Sequence, residues 1–232
     1  MAMADTQAHF LGYRVARRTV TVANQTFELL GPADYEELLA DQRVAAGFEA
    51  DEYLPYWAEF WPASVLLAEE VAAWGPAPGD GPPPSVLDLG CGLGLISLVA
   101  ARLGYCVTAC DWDEHALCFV RENARLNQIP APATARVDWR RSYPELRANR
   151  IVAAEVLYEE RSLEPVARFI RDHLEPGGFG LVCDAYRPTA DRFQTVARSL
   201  GLAVEQRHAE RVGPTGAVVR GRLFELRRRP CR

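Results

Sequence analysis

The sequence predicts an α/β fold in which a doubly wound, mostly parallel sheet ends in an antiparallel hairpin, with a smaller extension in front of it. Three observations carry this reading. From residue 85 onward, compact apolar runs alternate with stretches of helical periodicity. A glycine-rich turn, Gly90-Cys91-Gly92-Leu93-Gly94, joins the first run to the first helix. The chain then closes on two strand-like runs separated only by the loop Gly213-Pro214-Thr215-Gly216, too short for anything but an antiparallel pair.

The elements follow in order. Thr19 to Leu30 reads as two short strands around the turn-prone Asn24, and residues 31–42 open a short helix. An aromatic cluster, Tyr53, Tyr56, Trp57, Phe60 and Trp61, precedes Pro62, which suits the first turn of a helix carrying Ala63, Leu66, Leu67, Val71 and Trp74 on one face. Residues 75–84 are a Pro/Gly linker, so the chain divides into an N-terminal extension with its helix (1–84) and a core (85–232). In the core, strand 85–90 leads to helix 95–103, stopped by Gly104. Strand 106–111 leads to a helix capped by Asp113 that runs to about residue 127. Strands 133–139 and 150–158 follow, then a helix capped by Ser162 through Leu174 and a turn at Gly177-Gly178. Strand 179–186, a helix over 189–200 and the terminal strand pair complete the pattern.

Composition excludes several classes. With 49% hydrophobic and 25% charged residues the chain sits at globular averages, away from disordered or fibrous proteins. Its apolar runs stop well short of the roughly 20 residues a membrane span needs, and the start MAMADTQ carries no apolar leader, which predicts a cytoplasmic protein with no membrane partner. A net charge of −5 offers no general attraction to nucleic acid. The six cysteines (91, 106, 110, 118, 183, 231) form no C-x-x-C pair and have no histidine at ligand spacing, so they predict reduced thiols and no metal. All 26 basic residues are arginine; there is no lysine. The tail Arg227–Arg232 reads as a solvated end.

The strongest local signal is Asp88-x-Gly90-x-Gly92-x-Gly94, glycines placed where backbone must approach a ligand closely. A dinucleotide turn, G-x-G-x-x-G, would need glycine at Leu95, and a phosphate loop would need a lysine. The pattern fits a ligand carrying a nucleoside and an amino acid but no phosphate. Asp111 ends the second strand 21 residues beyond Gly90, where a carboxylate can accept both ribose hydroxyls. Asp138 ends the third, beside Trp139, where an acid can accept an adenine amino group and a ring can flank the base.

On these residues, the stretch from Ser85 to about Leu200 resembles the class I, seven-stranded, Rossmann-like methyltransferases that use S-adenosyl-L-methionine. The resemblance implies that Asp88, Gly90, Cys91, Gly92 and Gly94 surround the methionine end of the cofactor. It places Asp111 and Trp112 at the ribose and Asp138 and Trp139 at the adenine. Two further segments, Pro55 to Val71 and Glu155 to Glu160, are similar to the family-16 protein lysine methyltransferases, in particular those acting on electron-transfer-flavoprotein β subunits. That similarity implies methyl transfer to a lysine of a protein partner by a monomer. Glu155, where many members have Asp, would receive and orient the amine and touch the cofactor, and Tyr158 would wall the channel. Trp61 joins the cofactor set, and Tyr56 and Trp57 the substrate side. Nucleic-acid methylation is disfavoured because Glu155 to Tyr158 lacks the prolines of an N/D-P-P-Y motif. A small-molecule methyltransferase and a non-catalytic cofactor-binding interaction protein stay open as alternatives.

Overall fold

The computed structural model describes residues 8–40, 44, 48, 49, 52, 54–212 and 218–229. Tyr53, the loop at 213–216 and the last residues of the arginine tail lie outside them. The N-terminal strands β1 (His9–Phe10), β2 (Tyr13–Val22) and β3 (Gln25–Pro32) form a three-stranded antiparallel sheet, followed by α1 (Tyr35–Leu39) with Asp34 as its N-cap. The β2–β3 hairpin closes on two residues, Ala23 and Asn24, both with positive φ (47° and 63°), the geometry of a type I′ turn. Asn tolerates that region and Ala does not. Ala23→Asn is therefore expected to raise stability by about 0.5 kcal/mol, read from the urea unfolding midpoint.

The core sheet has seven strands: β4 (Ser85–Leu89), β5 (Cys106–Asp111), β6 (Ala133–Arg136), β7 (Ala148–Ala154), β8 (Leu174–Asp184), β9 (Leu202–Val212) and β10 (Val218–Arg228). Their order is β6-β5-β4-β7-β8-β10-β9, parallel except for β10, which runs antiparallel to both neighbours. Reversal on either side of β4 makes its carboxyl end the topological switch point, where ligands of open α/β sheets bind. Helices α2 (Pro62–Ala72), α3 (Leu95–Arg102) and α4 (Glu114–Leu126) lie on one side of the chain path, and α5 (Glu160–His173) and α6 (Phe193–Ser199) on the other. Two apolar layers result. Leu66, Leu67, Leu98, Val107 and Leu181 belong to one, and Leu87, Ile151, Phe169, Phe193 and Phe224 to the other.

Several expected boundaries move. The third strand stops at Arg136 rather than at 139. The fourth stops at Ala154 because Glu155 turns into the left-handed region (φ 58°). Ser162 is not a cap: α5 starts at Glu160 with Glu159 at its N-cap, and Ser162 is buried inside the first turn. Gly177-Gly178 is absorbed into β8, which begins at Leu174 and pairs with β7 through a register shift. The helix expected from 189 begins as a tight turn, Pro188–Arg192, before α6.

Asn123 of α4 ties the extension to the core. Its side chain accepts from Leu30 N (2.7 Å) and donates to Leu30 O (3.1 Å) and Leu93 O (2.9 Å), so one buried amide joins β3 to the glycine turn.

Candidate active site

A cleft of about 240 Å³ opens at the carboxyl ends of β4, β5 and β7 and is roofed by the segment that precedes α2. Its floor is the glycine turn. Gly90 N and Cys91 N both donate to Cys110 O (2.8 and 2.9 Å), folding the chain back over the end of β5. Gly90, Gly92 and Gly94 all have positive φ (73°, 51°, 87°). A Cβ on Gly92 would stand 3.2 Å from Trp57 O, and one on Gly94 would stand 2.8 Å from Val120 Cγ2. A side chain at any of these positions would press on the turn's own protein neighbours, so the glycines let the turn close tightly while Gly90 and Gly92 leave bare backbone along the cleft. That is what close approach of a cofactor to backbone requires.

Asp111 faces the cleft while its Oδ2 accepts from Gly92 N (3.0 Å) and its Oδ1 from Asp113 N (3.0 Å). Burial pushes its carboxyl up to about 6, against the pull of those amides. The sign of the pH effect follows. On the expectation that Asp111 accepts the ribose hydroxyls, which needs its ionised form, the cofactor should bind best above pH 6 and weaken as pH falls through it. Calorimetric titration between pH 4.5 and 8 checks this, and Asp111→Asn should flatten the dependence in that window.

Asp88 lies behind the turn, fully buried, with Oδ2 accepting from Ser97 N (3.0 Å) and Ser97 Oγ (2.7 Å). Burial pushes it up to about 7, and Oδ1 has no partner among the described residues. Asp88, Cys91 and Gly94 shape the turn from within and do not line the cleft. Asp138 does line it. Burial raises its carboxyl, but hydrogen bonds from Arg140 N (3.0 Å) and Nε (2.8 Å) outweigh this and leave it below the usual range. Trp139 lines the same end, and Trp112 stands 40% exposed with the Arg136 guanidinium 5.0 Å from its ring centroid.

The opposite end is aromatic. Tyr56 and Tyr158 pack at 4.9 Å between centroids, Tyr158 and Trp139 at 6.4 Å, and Trp61 Nε1 donates to Tyr56 O (2.8 Å). Burial raises the Tyr158 hydroxyl well above its ordinary value. Trp57 presents an edge to the cleft, but most of its ring is packed against Phe119 at 5.4 Å and it is 6% exposed.

Glu155 sits between the two ends. Its backbone N–H donates to Cys183 O (2.9 Å), and its left-handed φ turns the carboxylate toward the cleft. A residue other than glycine holds that conformation only where its surroundings over-determine it. Oε2 accepts from Arg187 Nε at 2.8 Å, whereas Oε1 is buried with no partner among the described residues. Burial pushes the Glu155 carboxyl up, and Arg187 pulls against it. Arg187, Arg140 and Arg161 also line the cleft, and no sequence signal marked them. The one clue to Arg187 is its place just past the end of a parallel strand, a position the periodicity alone makes unremarkable.

The cradle over the first strand-to-helix turn, the acid at the end of β5 and the acid with its aromatic neighbour beyond β6 fit S-adenosyl-L-methionine. Residues 78–183 match the ribosomal protein L11 methyltransferase (PrmA) family. The ribosomal protein L11 methyltransferase of Oceanobacillus iheyensis is 29% identical over 158 residues, which is 66% of this chain and 44% of that one. TrmN from Thermus thermophilus is 27% identical with a TM-score of 0.54, covering 75% of this chain and 52% of that one. The ribosomal protein L11 methylase of Lactobacillus delbrueckii shares the fold at 20% identity, TM-score 0.54, over 70% of this chain and 77% of that one.

In strand order, glycine turn and these matches the chain is similar to the class I S-adenosylmethionine-dependent methyltransferases, whose cofactor is S-adenosyl-L-methionine. Ribosomal protein L11 methyltransferases are among the proteins it resembles in the matched stretch, and the chain spans less than half the length of the curated relatives it matches first. No helix among the described residues is long and apolar enough to cross a membrane.

Proposed function

We propose that the chain transfers a methyl group from S-adenosyl-L-methionine to the side-chain nitrogen of a lysine in a protein partner. The observation that carries this is Glu155, a buried carboxylate in the cleft with one oxygen held by Arg187 and the other unpartnered. The relatives add support, since they are named for methylation of a ribosomal protein. So does the likeness of Pro55–Val71 and Glu155–Glu160 to the family-16 protein lysine methyltransferases.

When bound, the cofactor would supply an electrophilic methyl on a sulfonium to a neutral amine nitrogen, the C–S electron pair remaining on sulfur and the resulting ammonium losing its proton to water. The chain's own residues position the partners, an effect worth up to ~7–11 kcal/mol in the best intramolecular systems. Asp111 would hold the ribose with Trp112 beside it, Asp138 and Trp139 would take the adenine, and Gly90, Gly92 and Trp61 would line the methionine end. Glu155 Oε1 accepts an N–H of the neutral amine and aims its lone pair. Tyr56, Tyr158 and an edge of Trp57 flank the methylene stem and exclude water. On this reading, residues 1–84 form the substrate side and 85–232 the cofactor core. The enzyme acts as a cytoplasmic monomer, without nucleic acid or membrane.

The test is incubation with methyl-labelled S-adenosyl-L-methionine and an extract of the source organism, followed by separation of protein, nucleic acid and metabolites. Label on lysine in one protein band is the expected result. Because the chain has no lysine, self-labelling cannot imitate it. Label in RNA, DNA or a metabolite would sink the assignment, and no label despite cofactor binding would leave an interaction protein.

A further inference from the structure

The matches and the sequence motifs leave Arg187 without a role, yet the fold builds a mount for it. Its backbone N–H donates to Asp184 Oδ1 (3.0 Å), and its carbonyl accepts from Arg222 Nη2 (2.7 Å). Arg222 and Asp184 are themselves paired at 2.9 Å and buried. The guanidinium then reaches into the cleft, with Nε on Glu155 Oε2 and its carbon 5.1 Å from the Trp61 ring centroid. A surface arginine seeking an ion pair needs none of this. Both peptide groups flanking the side chain are fixed by a buried pair, and one aromatic face and one carboxylate fix its head.

We propose that Arg187 is a positioning residue that keeps the acceptor end of the cleft electrically neutral, so that Glu155 meets an incoming amine without trapping it as an ammonium. The proposal rests on Glu155 being the amine-receiving group. A lysine amine ordinarily stays protonated to about pH 10.4, and a lone buried carboxylate would raise that further by favouring the cation. Such a site would bind the substrate tightly in its unreactive form. A guanidinium on the second oxygen cancels the charge while leaving Oε1 in place to accept a hydrogen bond.

The groups facing Glu155 agree with a balanced set. Asp184 at the end of β8 faces it from one side, with Arg187 and Arg222 as the compensating cations. Cys183 of β8 and the Ala63 N–H of α2 are the other polar neighbours. Farther along the cleft lie Tyr158, Asp111, Glu159 and Arg161. Of the ionisable side chains nearest Glu155, Arg187 is bonded to it directly, and Asp184 is held by Arg222, which also pairs with Asp191. Burial raises the Glu155 carboxyl, and the Arg187 hydrogen bond opposes that rise.

The test needs only the cofactor site. Sinefungin carries an amine where S-adenosyl-L-methionine carries its transferable methyl, and S-adenosylhomocysteine carries nothing there. The ratio of their dissociation constants reports what an amine meets at that position. In Arg187→Met, titrated at pH 7.5, the ratio should shift toward sinefungin by at least about tenfold, one pK unit of the bound amine. In Arg187→Lys, which restores the charge, it should stay within about twofold of the wild type. S-adenosylhomocysteine alone should bind all three proteins alike. An unchanged ratio in Arg187→Met would overturn the proposal, and so would loss of S-adenosylhomocysteine binding, which marks a merely structural role. Either failure leaves the lysine assignment standing, because extract labelling decides that separately.

Discussion

Glu155→Ala is expected to abolish methyl transfer, by roughly 10²–10⁴-fold, while the enzyme still binds S-adenosyl-L-methionine nearly as the wild type does. The carboxylate contributes nothing to the glycine turn or to Asp111, so the cofactor's main anchors survive its removal. What disappears is the group that accepts from the amine, together with the partner of Arg187. Labelled transfer and calorimetry on the same preparation separate the two effects. Loss of cofactor affinity in step with activity would reassign Glu155 to the cofactor site. Unaltered transfer would remove it from the reaction altogether.

Arg222→Met is expected to lower the unfolding free energy by about 3–5 kcal/mol, because removing one partner of a buried ion pair strands the other charge. Asp184 is fully buried, its Oδ2 is already without a partner among the described residues, and Arg222 is 7% exposed. For a chain of this length the loss amounts to a fall in melting temperature of roughly 10 °C. Arg222 also bonds to Asp191 and to the Arg187 carbonyl, so the loop after β8 loosens with it. The double variant Arg222→Met/Asp184→Leu should recover much of the stability by removing both charges. A single variant melting with the wild type would overturn this expectation.

Much of the candidate site was legible because its requirements are local. Glycines at 90, 92 and 94 are needed for positive φ within a few residues of one strand end, and such constraints are written in consecutive positions. Asp111 and Asp138 follow from the same logic, since a parallel sheet delivers every carboxyl end to one edge. Helix caps obey short-range rules too, and Asp113 was read correctly as one. Ser162 shows where those rules stop. It has the right residue type, but α5 begins two residues earlier.

The sequence by itself determined the fold class, the order of the strands along the chain, the glycine turn and the two acids beyond it. Periodicity, turn chemistry and the reach of a strand-to-helix connection act over a few residues. Only the tertiary structure decided which charges meet. Glu155 and Arg187 are 32 residues apart and belong to different crossover units. They pair because β7 and β8 lie side by side and because Glu155 takes a left-handed turn that no pattern announces. Likewise, packing buries most of Trp57 beneath the sheet of the extension, and Asp138 is claimed by Arg140. Ion pairs and ring contacts depend on where separate connections return to the sheet edge, which the folded chain settles as a whole.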